Sequence, residues 1–221
     1  MKACIAVGVP NQGYWTSETA RSVSLMMCYF AITRPEGYGE QQVSLITVES
    51  SMLSTSRERI VRQALRNKEY THLMWIDSDM KVPMNTIHRL LAHKKDFIAA
   101  NCTTRKAPVE PVAHDLEGNR LHSVGKHGIQ EVQHVGLAVA LVKLEPLKRL
   151  RPPLFLMDWI HEYSDYCGED VYFSQKLKDI GVSLWVDHDL SVEVGHVGTK
   201  VYTHADIVLP SGEAALSKEL S

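Results

Sequence analysis

The chain has 221 residues, with 24 Lys plus Arg against 26 Asp plus Glu, a formal net charge of −2, 44% hydrophobic residues and 23% charged ones. These proportions are those of a globular protein and exclude a disordered, collagenous or coiled-coil chain; a chain of this length buries roughly 70% of its unfolded surface around one core. The near-balanced charge excludes a global pull toward nucleic acid or an acidic membrane and leaves only local patches open.

Residues 3–9 read as a short buried strand, broken by Pro10-Asn11-Gln12-Gly13. Thr16 to Thr33 reads as a helix with Thr16 or Ser17 as N-cap, and Arg34–Glu40 as a loop. Val43–Val48 is a second strand, and a helix capped by Ser54 or Ser56 runs to about Asn67. His72–Ile76 is a third strand ending in Asp77-Ser78-Asp79. Pro83 opens a helix to about Lys94, since proline suits a first helical turn, and Phe97–Ala100 is a fourth strand. Strand and helix alternate through the first hundred residues, which predicts a parallel sheet covered by helices. After about residue 105 the style changes. Pro111–Val124 reads as a hairpin around Glu117-Gly118-Asn119, and Gly128–Val142 holds two more strands. A helix runs from about Glu169 to Ile180, then comes a strand over Val182–Val186 and a loop-rich tail over Gly195–Ser221.

The longest uncharged apolar stretches, Ser22–Thr33 and Gly136–Val142, are well short of the roughly 20 residues of a membrane span. The N-terminus carries no signal-peptide core. Four scattered cysteines without a CxxC pair predict free thiols, and the expected location is cytoplasmic.

Two nucleotide fingerprints fail. Gly8 and Gly13 have phosphate-loop spacing, but Tyr14-Trp15 stands where Lys-Ser/Thr is needed; GxGxxG is absent. His161-Glu162 begins like HExxH, but Asp165 takes the place of the second histidine. The Asp77-x-Asp79 pair is more suggestive. It follows a central strand, where open α/β sheets bind ligands, and side chains at i and i+2 of an extended strand share a face. Two such carboxylates suit a hard divalent ion that also takes diphosphate oxygens. A lone DxD is a weak signal, and Asp187-His188-Asp189 repeats it after another apolar strand. Capping or turn formation is the ordinary use of either pair.

Context separates them. His72–Met80 with Pro83 (HLMWIDSDMKVP), followed by helix and strand, resembles the DxD segment of GT-A glycosyltransferases, especially the family 2-like enzymes of bacteria and phages. Arg57 with Ile60-Val61 is similar to the family's Arg-rich helix before that strand, with Glu58 in place of the usual Asn. Gly136-Leu137-Ala138 with Leu141-Val142 resembles the glycine-bearing strand beside the acceptor site, although Ala138 stands where a second glycine is commoner. Gly168-Glu169-Asp170-Val171-Tyr172-Phe173 looks like the "ED" helix start. GVSLWVD over 181–187 and then Gly195-His196-Val197-Gly198 are similar to the closing strand and His-x-Gly. The match spans most of residues 3–198.

The resemblance implies an α/β fold of the GT-A (Rossmann-like) type, a mostly parallel sheet flanked by helices, as one domain over residues 1–203 with a tail over 204–221. It implies a Mn²⁺ or Mg²⁺ ion at Asp77, Asp79 and His196. Imidazole is the less natural ligand for these oxygen-preferring ions. Asp170 is the expected general base, with Glu169 positioning the acceptor. A helix N-terminus lowers a carboxylate pKa, so Asp170 is expected to be ionised at neutral pH. Val9, Pro10 and Asn11, with Glu49 and Ser50, are expected to hold the nucleoside, and Ser78 and Gly136 to line the substrate site. Arg57 is expected to reach base or phosphate; the alternative is a solvated helix face. Trp75, Trp185 and Met74 are expected in the core. Trp159, Tyr163 and Tyr166 offer either an acceptor platform or ordinary packing.

The implied activity is metal-dependent transfer of a sugar from a nucleoside diphosphate sugar, UDP-sugar preferred, to an acceptor hydroxyl with inversion. The acceptor is open: a glycan, a lipid-linked sugar, or DNA bearing a hydroxymethylated pyrimidine. For DNA, Lys94-Lys95, Arg105-Lys106, Lys143, Lys148, Arg149 and Arg151 are the available basic groups. The rival classes are a non-catalytic sugar-nucleotide or glycan-binding module and a nucleotidyltransferase. No integral membrane contact is expected.

Overall fold

The computed structural model describes residues 2–160 and 165–207. Strand β1 (Lys2–Asn11) leads to helix α1 (Ser17–Ile32), β2 (Glu40–Glu49), α2 (Leu53–Arg66) and β3 (His72–Ile76). A short β4 (Met80–Lys81), α3 (Thr86–Ala92) and β5 (Phe97–Ala99) follow. Then come β6 (Ile129–Val132), β7 (Val139–Lys143), α4 (Leu144–Leu147), β8 (Asp158–Ile160), β9 (Asp165–Cys167) and α5 (Glu169–Asp179). The described chain closes with β10 (Leu184–Asp187), α6 (His188–Ser191), β11 (Gly195–Val197), β12 (Val201–Tyr202) and a 3-10 turn over His204–Asp206.

The central sheet has seven strands in the order β2-β1-β3-β7-β5-β10-β6. β1 pairs in parallel with β2 and β3, and β10 with β5; β7 and β6 run against their neighbours. The fold is therefore α/β with a mostly parallel sheet, as expected. Both faces are covered, which explains strands that are apolar throughout. Ile5, Val7 and Val9 pack on the α1 and α3 side with Val23, Met26, Phe30 and Ile87. Ala6, Leu73 and Trp75 pack on the opposite side with Ile60 and Val61 of α2 and Phe173 of α5. The strand period of two assigns alternate residues to the two cores.

Gly8 belongs to this packing. A Cβ there would lie 2.7 Å from Ile60 Cγ2 and 3.0 Å from Leu73 Cδ1. The glycine lets α2 close on β1; it is not part of a phosphate loop.

Several local expectations need correction. Thr16 caps α1, accepting from Thr19 N at 3.2 Å. Neither Ser54 nor Ser56 caps α2: its N-cap is Met52, whose N–H donates to Ser50 Oγ at 3.2 Å, and Ser56 is buried inside the helix. Pro83 precedes α3 by a turn, its carbonyl accepting from Thr86 N and Oγ1. The hairpin expected at 111–124 is reduced to isolated bridges such as His114 with Arg120. β8 and β9 pair antiparallel, which the sequence did not lead one to expect. The loop expected after 195 pairs instead, as β11 between β12 and β4. His204 is buried and shares a hydrogen bond with the Asn101 carbonyl, so the chain still packs on the domain there. Among the described residues, no helix is long and apolar enough to cross a membrane. All four cysteines are free.

Candidate active site

β3 carries Leu73 and Trp75 toward α2 and α5, and Asp77 continues that alternation one residue past the strand. The chain then turns, with Met80 N donating to Asp77 O at 3.1 Å. An extended DxD would set both carboxylates on one face; the turn separates them. Asp77 receives both its bonds from Arg57 Nη2, at 3.0 and 3.1 Å. Asp79 faces His196 Nε2 at 3.2 Å and Arg105 Nη1 at 2.6 Å.

Arg57 is 2% exposed, so it is neither a solvated helix residue nor open to a nucleotide base. Its Nε reaches Glu169 Oε1 at 3.3 Å, and its guanidinium lies over the Trp75 ring, 5.4 Å from the centroid. The residue thus ties the DxD strand to the first residue of α5. Its hydrogen bonds run to carboxylates from Nε and Nη2, and its Nη1 is buried without a hydrogen-bond partner among the described residues.

Glu169 and Asp170 open α5 after the N-cap Gly168. Asp170 Oδ1 accepts from Val171 N at 2.8 Å. Gly136 lies beside it: a Cβ at 136 would fall 3.5 Å from Asp170 Oδ2 and 3.1 Å from Val112 Cγ2. The expectation of a lowered Asp170 pKa does not hold. Burial pushes the carboxyl above the usual carboxylate range and Glu169 adds to this, outweighing Arg57 and the helix N–H. Burial likewise raises Asp77 against the pull of Arg57.

His196 reaches the site because β11 pairs with β4, His196 opposite Met80, and Val197 N donates to Asp79 O at 2.7 Å. Its Nδ1 donates to the Thr103 carbonyl at 2.7 Å, which fixes the ring and turns Nε2 toward Asp79. Burial opposes charge on His196, but the bonds to Asp79 and Thr103 prevail and raise its pKa. Burial also opposes charge on Asp79, yet His196 and Arg105 hold its carboxyl below the usual value.

These residues bear on a divalent ion as follows. Asp79 and His196 offer an oxygen and a nitrogen at one place, the second anchored as metal-binding imidazoles are. The Arg105 guanidinium, half-exposed, already sets positive charge on the Asp79 oxygen, so the position suits a cation. Asp77 lines the same cleft and feels the charges of Asp79 and His196, but both its oxygens accept from Arg57. Among the described residues, no group of three or more His, Cys, Asp or Glu side chains is arranged to hold a metal. Asp79 and His196 are thus two donors that could contribute to a cation site, not a complete ligand set.

A cleft of about 190 Å³ opens in front of Asp79. Pro10, Asn11, Ser50, Asp77, Ser78 and Asp79 line it. Tyr14, Thr16, Leu53 and Arg105 line it too, without a sequence signal that assigns them there. Only the loop after β1 hints at the first two, and no local motif marks Arg105 or the Thr103 carbonyl. The Val9 side chain is fully buried in the core, so it offers a ligand only backbone. Glu49 is exposed at the end of β2, in register with Asn11. Asn11 is itself held, donating to Thr47 Oγ1 and accepting from Gly13 N.

The second DxD is structural. Asp187 caps α6, accepting from Leu190 N at 2.8 Å, and Asp189 accepts from Gly128 N and pairs with His127. Trp75 and Met74 are core, while Trp185 is half-buried under Lys95. Trp159 and Tyr166 meet across the β8–β9 pair, rings 5.0 Å apart at 76°. Tyr163 and His161-Glu162 lie outside the described residues.

The same fold recurs in solved structures. The A197 protein from STIV superposes with a TM-score of 0.61 at 14% identity, over 92% of this chain and 91% of that one. GalNAc-T7, solved with UDP, GalNAc and Mn²⁺, superposes with a TM-score of 0.55 at 14% identity, over 89% of this chain. The chain spans 44% of the length of GalNAc-T7. No protein-family model matches this sequence, and no curated protein does. The fold is thus of the GT-A type, shared with structures of low sequence identity.

Proposed function

We propose that this protein is a metal-dependent glycosyltransferase that moves a sugar from a nucleoside diphosphate sugar, UDP-sugar preferred, to an acceptor hydroxyl with inversion. One observation carries the reading. Residues far apart in sequence converge where the fold sets a ligand: Asp79 with His196 on one side, and Asp77 joined through Arg57 to Glu169 on the other. The fold shared with GalNAc-T7, whose structure holds UDP, GalNAc and Mn²⁺, supports the donor class.

Asp79 and His196 would hold Mn²⁺ or Mg²⁺, and a bound ion would offset charge on the departing diphosphate. The cleft from Pro10 to Ser50 receives the nucleoside. Arg105, released from Asp79, turns its charge to the diphosphate. Asp170 takes the acceptor proton. Its raised pKa brings it closer to the operating pH, which favours a base that must pick up a proton in the transition state. Arg57 holds Glu169 in place beside Asp170, and Glu169 orients the acceptor.

The test is turnover of nucleoside diphosphate sugars with Mn²⁺ and candidate acceptors, followed by release of the nucleoside diphosphate. The expected result is release that falls about 10²- to 10⁴-fold in Asp170→Asn, the usual contribution of a general base. Donor binding without turnover would leave a binding module. Pyrophosphate release from a nucleoside triphosphate would make it a nucleotidyltransferase.

A further inference from the structure

Helix α2 has a second working face. Leu53 and Ser56 line the cleft, whereas Ser54, Thr55, Arg59 and Arg62 line a separate groove of about 520 Å³ walled by Pro152 and Pro153. Arg66 extends the row, because positions 59, 62 and 66 fall on one side of a helix. All three arginines are exposed, as is Arg151 just before Pro152. None of the four has an ion-pair partner among the described residues. The carboxylate at this groove, Glu58, is occupied by the N–H of Leu154 at 2.8 Å.

Five of the eight basic groups that the sequence offers for DNA are engaged elsewhere: Lys143 with Asp96, Lys148 with Glu145, Arg105 with Asp79, Lys95 over Trp185 and Arg149 with the Ile180 carbonyl. Arg59 and Arg62 thus leave unpaired positive charge along the α2 groove.

Core contacts link the groove to the site. Phe155, on its floor, stacks on Phe173 of α5 and meets the edge of Trp75, the ring beneath Arg57. Four residues further on, a span of at most about 14 Å, comes Trp159. It pairs with Tyr166 at exposures of 41% and 60%. Tyr166 is two residues before the N-cap of α5. Cations along a groove followed by exposed rings are what a single nucleic-acid strand uses: phosphates track the cations and bases stack on the rings. A concave groove between α2 and the proline pair suits a chain better than a flat lipid surface.

We propose that the acceptor is a nucleic-acid strand, its backbone along Arg59, Arg62 and Arg66 and a base on the Trp159–Tyr166 rings. Its role as acceptor rests on the glycosyltransferase reading; the binding surface stands without it.

The test is anisotropy of a short labelled single-stranded oligonucleotide with the full chain across a salt series. The expected result is binding that weakens steeply with salt. The log–log slope should drop by about 1.4 in the Arg59→Ala, Arg62→Ala double variant, about 0.7 for each phosphate of a single strand that is no longer neutralised. Trp159→Ala should weaken binding by about tenfold with an unchanged slope. The double variant should keep the thermal shift given by a nucleoside diphosphate with Mn²⁺, which reads the donor site separately. No binding at low salt overturns the proposal. So does an unchanged slope in the double variant, or capture by anionic phospholipid vesicles without capture of the oligonucleotide.

Discussion

Replacing Arg57 by Ala removes the charge that holds two half-buried carboxylates, Asp77 and Glu169, together. Arg57 Nη2 stands 3.0 and 3.1 Å from the two oxygens of Asp77, and Nε 3.3 Å from Glu169. Each pair is worth about 4 kcal/mol of gross attraction at the effective dielectric typical of proteins. Two such pairs, less the several kcal/mol that burying a guanidinium costs, leave a net loss of about 3–5 kcal/mol, the range found when one member of a buried pair is removed. At this chain length each kcal/mol moves the melting midpoint by about 2–4 °C, so a fall of about 6–20 °C is expected.

The pH dependence has a definite sign. Without Arg57, the folded pKa values of Asp77 and Asp170, already raised, rise further. A carboxyl with a raised folded pKa favours the fold while protonated and loses that contribution as pH rises through the folded value. The gap between wild type and variant is therefore full at neutral pH and narrows as pH falls toward the ordinary carboxylate range. Melting followed by circular dichroism from pH 8 to pH 4 measures both effects, with Arg57→Lys expected to lose less. A fall under about 2 °C, or a gap that widens on acidification, refutes the reasoning.

The same sign makes Asp170→Asn a stabilising change at neutral pH: its midpoint should rise while turnover drops, and a fall in the midpoint at pH 7 that persists at pH 4 would contradict the raised pKa. Asp187→Ala should cost about 1 kcal/mol through loss of the α6 cap, yet leave any nucleotide- and metal-dependent stabilisation in place. Loss of that stabilisation would return the second DxD to the site. Gly136→Val sets side-chain atoms against Val112 and Asp170, so donor binding should persist while transfer to acceptor falls; equal transfer by both proteins would remove Gly136 from the acceptor side.

Much of the site is legible in the sequence because its parts sit at element ends. Asp77 follows an apolar strand, Glu169 and Asp170 begin a helix, and His196 lies between two glycines. Each carries a local signal. What no local signal carries is a contact across the fold. Arg57 meets Glu169 from 112 residues away and Asp79 meets Arg105 from 26, so neither the clamp nor the cation on Asp79 can be read from spacing. Spacing alone suggests an extended DxD, whereas one turn bond from Met80 to Asp77 sends its carboxylates to different partners. Helix position alone predicts a lowered Asp170 pKa, a real effect that burial outweighs. The pairing of β8 and β9 is hidden because three-residue strands are too short to show a period.

We propose that Asp79 with His196 marks a place for a cation and a diphosphate. Thermal unfolding of the metal-free protein against nucleoside diphosphates and their sugars, with and without Mn²⁺, tests it directly. Ligand at about 100 times its dissociation constant adds roughly 2.7 kcal/mol, a rise of about 5–11 °C. That rise is expected for one nucleoside diphosphate, dependent on Mn²⁺ and absent in Asp79→Ala. An equal rise in Asp79→Ala, or none with any nucleoside diphosphate, would contradict it.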